Sequence, residues 1–173
     1  MVKQYFTEKG ALATVDTEKV YMSRAGYEDA KKHLKYLQTT KRDEIVQRIS
    51  EARGHGDLSE NAEYDAARNE QAANEGEIIE LEYKLKNREI YATPSSVDFV
   101  TFGVKVTVYD VDFEEEEVYE ITGTLEADAD AGKISNESPV GEALIGHKAG
   151  ETVTVTLANG NEFDLLVKNI ELA

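Results

Sequence analysis

The spacing of apolar side chains changes once along this 173-residue chain, and that change dictates the class of fold. Tyr27, Ala30, Leu34, Leu37, Ile45, Ile49 and Ala52 recur mostly three or four apart, which puts one stripe on a helix over 23–53. Ser23 is placed to cap it. A second helix over 58–91 carries Ala62, Ala66, Ala73, Leu81 and Leu85 on one face. Between Leu37 and Ile45 the first stripe weakens at Gln38-Thr39-Thr40-Lys41, a place for a bend or break. Each helix needs a partner for its stripe, and the short connection around Gly54-His55-Gly56 makes them antiparallel neighbours. At 1.5 Å per residue they form a rod on the order of 40–45 Å long.

Thr93-Pro94-Ser95-Ser96 ends the helical part, and the period becomes two. Val104, Val106 and Val108 alternate with polar residues, and Val118–Thr122 returns across a turn holding Glu114–Glu117. Val153, Val155 and Leu157 face Phe163, Leu165 and Val167 across Asn159-Gly160, a strong hairpin signal. Residues 138–146 read as a loop leading to one helical turn. The expected class is α+β, with a small twisted antiparallel sheet after a helical hairpin. The expected division is a mobile extension over 1–20, the hairpin over 21–93, a linker over 94–98 and a second domain over 99–173.

Charge separates the same parts. The formal net charge is -16, of which residues 97–173 carry -13 and residues 21–96 only -3. So acidic a chain is not a general nucleic-acid coat, which needs clustered Lys and Arg. Residues 24–53 are nonetheless locally +3, and residues 57–89 are -6. The first helix therefore presents a basic face within an acidic chain, whereas the acidic second domain suits a protein surface. There is no cysteine, and three scattered histidines argue against a conventional zinc site. No apolar run approaches the roughly 18 residues of a membrane span. The N-terminus has no signal-peptide core, so the expectation is a soluble cytoplasmic protein.

Chemistry concentrates in Gly54-His55-Gly56-Asp57-Leu58-Ser59-Glu60-Asn61-Ala62-Glu63-Tyr64. Asp57 and Glu60, three apart at a helix start, offer neighbouring carboxylates. Two carboxylates can share Mg²⁺, a hard cation that takes oxygen ligands, although they need further ligands from elsewhere to hold it. The same pair also suits an N-terminal cap, where an acid satisfies free backbone N–H groups and favours the helix dipole. Spacing leaves both roles open.

Ala52-Arg53 followed by this stretch closely resembles the tip signature of the bacterial GreA/GreB transcript cleavage factors. Gln71-Ala72-Ala73-Asn74-Glu75-Gly76-Glu77-Ile78, with Leu81 and Leu85, resembles the family's second helix. Ser138-Pro139-Val140-Gly141 with Ala143-Leu144-Ile145-Gly146 resembles its C-terminal motif, on the GreA side of the family. The resemblance runs from about Tyr21 to Leu172. It implies an antiparallel coiled-coil hairpin joined to an FKBP-like domain, inserted into the secondary channel of RNA polymerase. It further implies a factor that is not itself an enzyme, with no cofactor of its own. Such a factor stimulates cleavage of backtracked RNA by the polymerase and its Mg²⁺.

Carried over by residue, Asp57 and Glu60 are the metal-positioning acids, Asn61 and Tyr64 support the tip, and Arg53 and Arg68 contact the extruded RNA 3′ end. The expected state is a monomer. Gly54, Asp43 and Glu77 depart from the family pattern, Glu77 standing where a basic residue often follows Glu-Gly. Gly54, Glu77 and the extension 1–20 motivate a second hypothesis, a channel occupant that regulates polymerase without cleavage. A third, a prolyl isomerase, rests only on the implied shape of the second domain.

Overall fold

Two compact units account for the chain: residues 28–87, and residues 1–27 together with 88–173. The computed structural model describes residues 3–54 and 58–173, with the side chains of 54 and 58–61 outside the description.

The helical unit contains most of α1 (Arg24–Tyr36), a π-helical turn (Leu37–Lys41), α2 (Arg42–Gly54) and α3 (Leu58–Lys86). Ala30, Leu37 and Ile45 are buried on the first arm, and Ala67, Ile78, Leu81 and Leu85 on α3. Cross-arm partners run in opposite senses, from Gln38–Glu82 through Arg42–Glu75 to Arg53–Tyr64, so the arms are antiparallel. At the weak point, Gln38–Lys41, the helical path continues through the π turn. Leu37 and Ile45 are eight residues apart, which at 3.6 per turn overshoots two turns by about 80°. A turn closed by i→i+5 bonds takes up the excess and returns Ile45 to the inner face.

The face of α3 differs from the expected one. Ala62, Ala66 and Ala73 are exposed, and the buried row is Ala67, Asn74, Ile78, Leu81 and Leu85. Asn74 breaks the apolar pattern in sequence, yet its side-chain amide donates to the Leu37 carbonyl at 3.3 Å. A polar residue on the inner face is tolerable because it meets backbone at the π turn.

In the other unit, five strands form one sheet in the order β7-β6-β5-β9-β8. They are β5 (Val104–Asp110), β6 (Glu115–Thr122), β7 (Lys133–Ser135), β8 (Thr152–Thr156) and β9 (Glu162–Leu172). The Asn159-Gly160 hairpin forms as expected, pairing Val153 with Leu165 and Val155 with Phe163. Gly160 has φ +84°, a value that glycine adopts without Cβ strain. Two features differ from the expected sheet. Glu115–Glu117 belong to β6 rather than to the turn, and β7 joins β6 in parallel, so the sheet is mixed. An Asp128-capped 3₁₀ turn at Ala129–Ala131, followed by Gly132 at φ +68°, lets the chain re-enter the edge in the same direction as β6.

The alternation of β5 resolves into a buried row, Val104, Val106 and Val108, facing Leu144 and Ile145 in one apolar core. Leu144 ends the short helix α4 (Pro139–Leu144), whose N-cap Ser138 accepts from Gly141 N–H.

Residues 3–22 form paired strands and bury Tyr5, Tyr21 and Met22, in contrast to the mobile extension expected. β1 (Gln4–Phe6) pairs with β2 (Leu12–Thr14), and β3 (Val20–Met22) runs parallel to β4 (Arg88–Ile90). Tyr5 is 4% exposed, edge-on to Tyr21 at 4.9 Å, while Phe102 stacks on Tyr21 at 4.9 Å and on Tyr91 at 4.8 Å. Aromatic pairs of this kind contribute about 0.5–1.5 kcal/mol each beyond their burial. Three-residue strands are too short to display a period, which is why this part was unreadable locally.

Two close approaches tighten the same unit. A Cβ at Gly123 would lie 1.8 Å from the Tyr21 carbonyl oxygen, so only glycine admits that contact. Ser23 caps α1 by accepting from Gly26 N–H at 2.9 Å, and its own N–H donates to the Glu126 carboxylate at 2.7 Å.

Candidate functional site

The residues singled out by sequence lie where α2 ends and α3 begins. Arg53 is in the last turn of α2, whereas Tyr64 and Arg68 sit one turn apart on α3. Arg53 reaches across the arms: Nη2 donates to the Tyr64 hydroxyl at 3.3 Å, and the guanidinium lies 5.5 Å from the centre of the tyrosine ring. A cation over an aromatic face at that distance is attracted by the ring quadrupole. The Arg53 hydrogen bond and charge, with a smaller contribution from Arg68, hold the Tyr64 hydroxyl below its ordinary value. Arg68 donates to Gln71 Oε1 at 2.6 Å on its own helix. Arg53, Tyr64 and Arg68 therefore share one electrostatic neighbourhood.

Asp57 lies outside the described residues, as do the side chains of Glu60 and Asn61. The backbone of Glu60 and Asn61 belongs to the first turns of α3. Among the described residues no three His, Asp or Glu side chains gather as a metal site.

Sequence reading missed how the first arm's bases are used. Lys41 and Arg48 both pair with Glu70, at 2.5 and 2.6 Å, and Arg42 makes a two-point bond to Glu75 at 2.8 and 2.7 Å. Lys31 and Lys32 pair with Glu28 and Asp29 on the same helix. Glu70, held by Lys41 and then Arg48, and Glu75, held by Arg42, are both shifted below the ordinary carboxylate range. The local +3 is thus largely spent inside the helical unit. The described partners of Arg53 and Arg68, by contrast, are uncharged. The opposing local charges of the two arms were the available signal for the ladder; register decided which residues pair.

Glu77, the departure from the family pattern, faces His33 Nε2 at 2.7 Å. In this chain that position serves cross-arm pairing.

Comparisons with known proteins bear on both units. The family model for the N-terminal part of transcription elongation factors matches residues 20–90, and the model for the GreA/GreB C-terminal part matches residues 94–172. Transcription elongation factor GreA of Clostridium botulinum is 51% identical over 146 residues, covering 81% of this chain and 91% of the relative. The GreA of Azorhizobium caulinodans is 49% identical over 144 residues, covering 83% and 92%. Among solved structures, the GreA factor homolog Gfh1 of Thermus thermophilus is 26% identical and covers 88% of this chain and 99% of its own. Its TM-score is 0.40, too loose a likeness to argue from. Two family models that together span nearly the whole chain, and relatives at about half identity, place it plainly: the chain belongs to the GreA/GreB family of transcription elongation factors.

Proposed function

We propose that this protein inserts its helical arms, as an antiparallel coiled-coil hairpin, into the secondary channel of RNA polymerase. There it stimulates endonucleolytic cleavage of backtracked RNA and so releases arrested complexes. The observation that carries the reading is the intact Asp57-Leu58-Ser59-Glu60-Asn61 sequence, within a chain whose two parts both match the family. The FKBP-like second domain docks on a protein surface, as its net charge of -13 favours over nucleic acid.

The chain is a stimulator rather than an enzyme. Asp57 and Glu60 present carboxylate oxygens, the donor type a hard divalent cation takes. Mg²⁺ of the polymerase, when bound, supplies activation of water and stabilisation of the leaving oxygen. The two acids orient that water by accepting its hydrogen bonds, while Asn61 supports the tip. Arg53, braced against Tyr64, and Arg68 on the next turn hold the phosphates of the extruded RNA 3′ end. Carrying Arg53 and Arg68 on helices lowers the cost of ordering them against RNA. The protein acts as a monomer in the cytoplasm, where the polymerase works, and no described helix is long and apolar enough to cross a membrane.

The test follows 3′-labelled RNA in a backtracked complex of the cognate polymerase. Wild type releases short 3′ fragments with Mg²⁺, and Asp57→Ala abolishes release while still binding polymerase. Fragments released equally by both proteins would remove Asp57 from the mechanism. Binding without release by wild type would turn the reading to a channel occupant.

A further inference from the structure

The β5–β6 hairpin carries a feature that neither fold nor tip uses. Residues 112–117 read Asp-Phe-Glu-Glu-Glu-Glu, a single aromatic among five acids. Phe113 is 76% exposed, with Val111, two residues before it, at 48%. An exposed phenylalanine adds nothing to the core, yet its turn is firmly built. Asp110, only 8% exposed, accepts from the backbone N–H groups of Asp112 and Phe113 at 2.9 and 3.0 Å. Glu114 donates its backbone N–H to the Asp110 carbonyl at 3.0 Å and sits at φ +58°, a conformation that costs a non-glycine residue energy.

We infer that Phe113 is a docking anchor that enters an apolar socket on a basic protein surface; on the function proposed above, that surface belongs to RNA polymerase. Rigid aromatic side chains dominate protein interfaces because they bury large area and lose little freedom. The exposed acids Asp112, Glu114 and Glu115 surround the anchor, so its partner is positive around the socket. The same acids repel RNA, an anionic lipid surface and a second copy of this chain, whose net charge is -16. Glu116 and Glu117 are already engaged by Lys168 and the Tyr119 hydroxyl, which leaves the outer acids to steer encounter.

The experiment measures association and dissociation of the full-length protein on immobilised cognate polymerase, with cleavage assayed at saturating factor. Phe113→Ala is expected to raise Kd about tenfold or more, mainly through faster dissociation. Phe113→Leu recovers part of the loss because it keeps an apolar group at the tip. Glu115→Lys slows association, and the difference fades as salt rises. Thermal melts of all three stay with wild type, since none of these side chains lies in the core.

Cleavage per bound factor is unchanged in Phe113→Ala because the tip is untouched. Equal affinity of Phe113→Ala and wild type overturns the inference while leaving the cleavage reading intact. A weakened Phe113→Ala, beside a wild type that binds but releases no RNA, supports the anchor and overturns the cleavage reading. A wild-type dimer that Phe113→Ala dissociates in sedimentation overturns the inference by naming a second copy as the occupant.

Discussion

The two units are held together by different physics. The unit of residues 28–87 has a narrow buried row interrupted by Asn74, and it adds charged cross-arm pairs at Glu70 and Glu75. The other unit closes a broad core of valines and stacked aromatics, with Val104, Val106, Val108 and Val155 fully buried. Burial of apolar area is the larger contribution, and exposed ion pairs contribute little each but respond to pH and salt. A rod is nearly all surface, so it draws specificity from polar pairs across its seam. A sheet with one covered face can rely on packing.

The sharpest break in that comparison is Phe102→Ala. Phe102 is 1% exposed and contacts three tyrosine rings, so its removal leaves a cavity beneath the sheet. The expected cost is about 3–5 kcal/mol, read as loss of near-ultraviolet tyrosine circular dichroism in denaturant titration. The helical signal at 222 nm should be retained to higher denaturant than in a change to the helical seam.

A smaller effect is expected in the helical unit from Asn74→Ala. The substitution leaves the Leu37 carbonyl without its side-chain donor, at a cost of about 1–2 kcal/mol. Among the described residues Asn74 Oδ1 is itself buried without a hydrogen-bond partner, which limits the net loss. Helical circular dichroism during unfolding measures it. A stabilised variant would show that the amide is a burden rather than a register device.

The smallest effect belongs to the ion-pair ladder. Glu70 is shifted down by Lys41 and Arg48, and Glu75 by Arg42. A carboxylate bound more weakly by protons in the folded state stabilises above its unfolded value, ordinarily 4.5. That contribution is lost as pH falls through the lower folded value. Acid titration of wild type should therefore lower helical stability below the ordinary carboxylate range. Glu70→Gln should lose that small contribution at neutral pH and converge with wild type in acid, which flattens its response, and added salt should narrow the difference at neutral pH. Equal acid responses in both proteins would remove the ladder from the comparison.

How much was legible follows from distance along the chain. Period three-to-four and period two are properties of contiguous residues, so the helices, the β8–β9 hairpin and the α+β class could be read directly. Ser23 as the α1 cap and the Asn159-Gly160 turn are equally local. The π turn left a local trace as a weakened stripe, but its form depended on bringing Ile45 back to the seam. Of the candidate site, the residue types were legible in the tip stretch, and their roles came through family resemblance. The Arg53–Tyr64 brace depended on register between helices.

By itself, then, the sequence determined where helices give way to strands, that the valines of β5 share one face, and that two acids, Asp57 and Glu60, follow Arg53. Only tertiary structure decided that β5 is central, that β7 enters in parallel, that Tyr5 and Tyr21 belong to the core, which face of α3 is buried, and which acids take the first arm's bases. The physical reason is that these outcomes join residues far apart in sequence, such as Ser23 and Glu126, separated by 103 positions. Such pairings are selected by competition among all surfaces the chain can bury. No local pattern contains that competition.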